Sequence, residues 1–122
     1  MPSHEHVTLL ASAARTADVA STDQKNTRGH RGVRVFIDVT VDPASASVVF
    51  SIEGKTPGSA YHSLLDSAAV TAVGLTVLEL YPGIAAVANL AKSGFLPLTW
   101  RVNANHADTD SITYSVTAEA LP

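Results

Sequence analysis

Histidine and carboxylate side chains supply most of the reactive groups in this 122-residue chain, which holds 5 His, 11 Asp and Glu, 8 Lys and Arg, and no Cys. Without cysteine there is no disulfide framework, no thiolate metal ligand and no cysteine nucleophile. His4-x-His6 places two imidazoles on one side of an extended segment, a start for a divalent-cation site if further ligands join it. In a polar terminal segment the ordinary reading is solvated side chains. His106, Asp108 and Asp110 alternate nitrogen and oxygen donors, but the run lacks the glycine and distal glutamate of a calcium loop, so a solvent-exposed turn is expected.

Nucleophilic and phosphate chemistry fares no better. Serines, His62 and Asp66 are present, yet no Gly-x-Ser-x-Gly elbow occurs to expose a serine at a strand-to-helix turn. Gly54-Lys55-Thr56 resembles the end of a phosphate loop, but Val49 stands where its first glycine belongs, inside an expected strand. The acids are scattered and give no carboxylate pair for glycoside hydrolysis. The reading is a non-enzymatic protein, with no cofactor and no metal.

One basic cluster stands out: Lys25, Arg28, Arg31 and Arg34. These four are the expected partner-binding residues, suited to an acidic protein surface and weakly to phosphates; a solvated arm is the bland alternative. A formal charge of −3 at pH 7 removes the electrostatic case for nucleic acid. No apolar run approaches the ~20 residues of a membrane helix, and Met1–His6 has no cationic start leading into an apolar stretch, so a signal peptide is not expected.

The elements that must carry these residues show period-two alternation. Val33, Val35, Ile37, Val39 and Val41 share one face of a strand that stops at Asp42-Pro43, where proline offers no N–H. Val48, Phe50 and Ile52 mark a second strand, and the short connection predicts that these two pair as an antiparallel hairpin. Tyr61–Leu65 and Leu75–Tyr81 read as further strands, the latter ended by Pro82-Gly83. Leu98, Trp100, Val102 and Ala104 alternate with polar neighbours, as do Ile112, Tyr114, Val116 and Ala118, and a second hairpin is expected between these two strands. Val7–Arg15 is a strand with Val7, Leu9, Ala11 and Ala13 on one face. Residues 1–6 and 21–31 read as extended arm or loop, and the alanine-rich stretch Ile84–Lys92 as a short helix or ordered loop.

The count is about seven short strands with no long amphipathic helix, which predicts a single all-β domain over residues 1–122: an antiparallel β-sandwich, Ig-like or jelly-roll-like. Its core should hold Val35, Ile37, Val39, Phe50, Ile52, Trp100, Val102, Tyr114 and Val116. With only 6% aromatic residues that core is thin, and support from a neighbouring subunit would help it.

Six segments, in order along most of the chain, carry a family likeness: Val7–Thr16, Arg31–Thr40, Val49–Lys55, Leu78–Gly83, Leu96–Val102 and His106–Val116. Together they resemble small virion structural proteins of tailed bacteriophages, especially those of actinobacteria. They are strand and turn signatures, not catalytic motifs. Thr56-Pro57-Gly58 departs from the acidic-proline pair and longer hairpin of such proteins, so loop contacts there do not carry over. The resemblance implies a capsid decoration protein on the outside of the phage head, made in the host cytoplasm. Its partners would be the major capsid protein and copies of itself, with a homotrimer about a local axis as the expected assembly. A tail or head–tail junction protein is the alternative. A carbohydrate-binding or host-adhesion module is a third reading, for which Tyr61 and Tyr81 are the available stacking platforms because Trp100 and Tyr114 face inward.

Overall fold

The computed structural model describes residues 3–122, and the alternation becomes ten strands: β1 (Glu5–Arg15), β2 (Val19–Ala20), β3 (Gln24–Lys25), β4 (Gly32–Val41), β5 (Val48–Lys55), β6 (Tyr61–Asp66), β7 (Gly74–Leu80), β8 (Ala91–Lys92), β9 (Thr99–His106) and β10 (Ile112–Leu121). One sheet runs β1-β10-β4-β7-β8; the other runs β2-β9-β5-β6, with β3 also on β9. All pairings are antiparallel except β7 with β8. The two sheets pack together as a β-sandwich.

Alternation decides what lies between the layers. Val33, Val35, Ile37 and Val39 of β4 are buried, as are Phe50 and Ile52 of β5, Trp100 and Val102 of β9, and Tyr114 and Val116 of β10. All nine expected core residues are inside. Phe50 and Tyr114 meet edge to face, with ring centroids 5.0 Å apart, the arrangement aromatic quadrupoles favour. Gly32 opens β4 where a side chain cannot fit, since a Cβ there would lie 2.2 Å from the Leu80 carbonyl oxygen.

Several expectations are corrected. The strands number ten, not seven, because β2, β3 and β8 are two residues long and too short to show alternation. Neither expected hairpin forms: β4 and β5 lie in different sheets, and so do β9 and β10. A connection of a few residues is enough to span the ~10 Å between packed sheets. In the first crossing Asp42 Oδ1 accepts the Ala46 N–H at 2.8 Å, which turns the buried Ala46 inward. The local hairpin is instead β5–β6. Leu98, expected on the strand face of Trp100, Val102 and Ala104, instead precedes β9 and is 64% exposed.

Ile84–Lys92 contains no helix; it is an ordered loop whose Ala91 and Lys92 add to β7. In β1, Leu9 and Leu10 are both buried because the pairing with β10 is irregular between Thr8 and Ala13. An irregularity of this kind shifts the face on which later residues fall.

The stretch expected as an arm over residues 21–31 lies along the second sheet instead. Gln24 and Lys25 pair with Trp100 and Thr99, and the Ser21 N–H donates to Val102 O at 2.9 Å. Asn26 then folds the chain back: its Nδ2 donates to His30 O at 2.7 Å, and its Oδ1 accepts the His30 N–H at 3.0 Å. Gly29 sits in this turn at φ 72°, where a side chain would be strained. Of the expected arm over residues 1–6, Glu5 and His6 belong to β1, Ser3 O lies 2.7 Å from His30 Nε2, and Met1 and Pro2 lie outside the described residues.

Candidate interaction surface

Register gives the sandwich two ends. At the lower end lie Gly32, Lys55, Leu80, Thr99 and Leu121; at the upper end lie Arg15, Val41, Val48, His106 and Ile112. The four basic residues do not form one cluster. Lys25 donates to Thr99 Oγ1 at 2.9 Å. Arg28 pairs with Glu5 at 2.9 Å. The Arg31 guanidinium lies 5.7 Å from the Tyr81 ring centroid. Lys25, Arg28 and Arg31 belong to the lower end, on the strand and turn that lead into β4. Arg34 is on the outer face of the first sheet, held between Glu79 at 3.2 Å and Glu119 at 3.1 Å.

Cross-strand pairs brace both outer faces. Besides Arg34, His6 Nε2 lies 2.8 Å from Glu119 Oε2, and that contact holds the Glu119 carboxyl below the usual glutamate range. On the second sheet Arg101 Nε donates to Glu53 at 2.7 Å, and its guanidinium stacks 3.5 Å from the Tyr61 ring centroid. The Tyr61 hydroxyl donates to Asp23 at 2.7 Å and Lys55 donates to the other Asp23 oxygen at 3.0 Å. Those two bonds, Tyr61 first, lower the Asp23 pKa, and Asp23 in turn raises that of Lys55.

These contacts answer the chemical readings one by one. Lys55 is engaged with Asp23, and Thr56 Oγ1 accepts the Ala60 N–H at 3.0 Å, so Gly54-Lys55-Thr56 is a strand end and turn. Asp66 Oδ1 accepts the hydroxyls of Ser51 and Ser63, while His62 lies over Gly54; no triad assembles there. Asp108 Oδ1 accepts the Asp110 N–H at 3.1 Å in a turn, as expected, while His106 is engaged with the Tyr114 hydroxyl. No group of three or more His, Asp or Glu suited to a metal ion occurs among the described residues. Tyr61 is stacked by Arg101, and the Tyr81 hydroxyl donates to Pro122 O at 2.6 Å beneath Arg31. Both tyrosines offered as sugar platforms are therefore engaged within the chain.

His106 closes the upper end of the core. Its Nε2 lies 2.9 Å from the Tyr114 hydroxyl, and its buried Nδ1 has no hydrogen-bond partner among the described residues. Burial depresses the His106 pKa, against the opposing pull of Asp18 and Asp108, and pushes Tyr114 up to about 12. Arg15 stacks 4.7 Å from the Tyr114 ring centroid and donates to Tyr114 O at 2.8 Å.

Exposed apolar residues were missed by sequence reasoning, and they mark the surface most clearly. Phe95 is 71% exposed and Leu98 64%, three residues apart on the loop that crosses the lower end. That loop is pinned: Leu96 is buried, its N–H donates to Arg31 O at 2.9 Å, and Leu98 O accepts the Asn26 N–H at 2.7 Å. At the upper end Val41, Val73 and Leu75 are exposed. Residues 68–76, with Ala88, Asn89 and Leu90, form a groove of about 400 Å³. Alternation hid Leu98 by placing it in phase with Trp100; Phe95 carried no signal beyond its position between Gly94 and Pro97. No family model matches the chain, and no curated protein matches it.

Proposed function

We propose that the chain is a non-enzymatic virion structural protein of a tailed bacteriophage, a decoration protein that binds the outer surface of the head and stabilises it. The observation that carries the reading is the way ionisable side chains are used. Arg34, Arg101 and Lys55 join neighbouring strands through Glu79, Glu119, Glu53 and Asp23, which leaves both outer faces as braced surfaces. Such a body suits holding other proteins. The six segments that resemble phage virion proteins support the same reading, and they run through β1, β4, β5, β7, β9 and β10.

A decoration protein acts by mass action on the assembled shell: whatever binds the intact lattice and not its dissociated parts stabilises the lattice. Repetition at each capsomer adds many such contacts without any single one being strong. The partners in this reading are the major capsid protein and further copies of the chain. Imaging of purified virions tests it. The expected result is this sandwich in many copies on the head exterior; density confined to the tail, or absent from the particle, overturns it.

A further inference from the structure

Charge is divided between the two ends of the sandwich. At the upper end stand Asp18, Asp38, Asp42, Asp66, Asp108 and Asp110. Of the eight Lys and Arg, only Arg15 lies there. The other seven belong to the lower half, against five carboxylates. The upper end therefore carries a formal charge of −5 and the lower half +2, which together give the −3 of the whole chain.

Shape divides the same way. The lower end bears a knob, Phe95 and Leu98, on a loop fixed by Leu96 and Asn26. Lys25, Arg28 and Arg31 adjoin it: Leu98 O accepts the Asn26 N–H, and Arg31 O accepts the Leu96 N–H. Toward the upper end lies the groove between residues 68–76 and Leu90, with apolar walls from Val70, Val73 and Leu75. Asp38 is paired across the sheet with Leu75, so a carboxylate stands beside it.

We infer that the groove receives the Phe95–Leu98 knob of a second copy of this chain. Apolar side chains would be buried at the centre, and Lys25, Arg28 and Arg31 would meet Asp38 at the rim. That is the usual division of an interface into a dry centre and a charged border. The contact joins two different patches and is heterologous, so an open assembly keeps one free knob and one free groove at its ends until a ring closes. This inference concerns the chain alone and does not depend on where in a virion it binds.

Sedimentation velocity of the full chain tests it. The expected result is association that grows with concentration at low salt and weakens near 1 M salt, where the Debye length falls to about 3 Å. Two surface variants separate the patches: Phe95→Ser with Leu98→Ser removes the knob, and Leu75→Arg spoils the groove. Each is expected to sediment as a monomer with an unchanged circular dichroism spectrum, whereas a one-to-one mixture forms a dimer through the one intact knob and the one intact groove. A wild-type chain that stays monomeric at millimolar concentration and low salt overturns the inference. So do variants that associate like wild type, and so does a mixture that remains monomeric. None of these results bears on virion imaging, so the two proposals fail separately.

Discussion

The two ends of the sandwich close the same core with different chemistry. At the upper end Tyr114, wholly buried, reaches its hydroxyl to His106, and Arg15 lies over the ring. At the lower end Leu96 and Trp100 fill the gap, and main-chain bonds from Asn26 and Arg31 hold them. An apolar plug fixed by backbone is indifferent to pH. A phenol–imidazole plug is not, because burial makes its imidazole resist the proton it would accept in water. Closure with polar side chains thus puts a titratable group into the upper plug, while Leu96 and Trp100 put none into the lower one.

Tyr114→Ala attacks the upper closure most severely. It removes a fully buried ring and its edge-to-face contact with Phe50, and denaturant titration should show a loss of roughly 3–5 kcal/mol. Leu96→Ala is the matching change below, expected to cost roughly 2–3 kcal/mol because the pinned loop cannot collapse fully into the space. If Leu96→Ala proved the more damaging, the upper end would not be the main closure. Asn26→Ala removes the side-chain bonds to His30 and Leu96 and should cost about 1–2 kcal/mol by the same titration.

The pH comparison sharpens the contrast. Burial lowers the folded His106 pKa, so the unfolded chain binds a proton near pH 6.5 that the folded chain takes up only at lower pH. His106 therefore contributes stability that is present above about pH 6.5 and lost as pH falls below it. The denaturation midpoint of wild type should drop between about pH 7.5 and about pH 5.5, and His106→Gln should reduce the drop. Equal drops in the two proteins would remove His106 from the explanation. The smallest effect belongs to the outer faces. Arg101→Ala, which loses the Glu53 pair and the Tyr61 stack, should cost no more than about 1 kcal/mol.

Much of the architecture was legible because long strands advertise themselves. Val33 to Val41 and Ile112 to Ala118 alternate over enough residues to declare both strand and buried face. What alternation does not encode is which strands pair. Short connections invite a hairpin, yet the links Asp42–Ser47 and Ala107–Ser111 cross between layers, a choice made by which apolar faces must meet. Gln24 and Lys25 could not be recognised as a strand, since their order comes from β9 and from the Asn26 turn. The candidate surface was legible only in part. Lys25, Arg28 and Arg31 were visible as a cluster, but Arg34 faces out from the first sheet between two glutamates. The exposure of Phe95 follows from a loop whose path is set by Leu96, which no local pattern reveals.

The position of β10 between β1 and β4 has a consequence for how the molecule is made. β10 comes after every other strand in the chain, yet it joins two strands that precede it by about a hundred and about eighty residues. Until it arrives, β1 has no partner and β4 presents a bare margin to whatever is nearby. The first layer must wait for β10 before it becomes one piece, and assembly dominated by such distant pairings is slow. A ribosome emitting this chain therefore carries an unfinished sheet until β10 emerges and seals it.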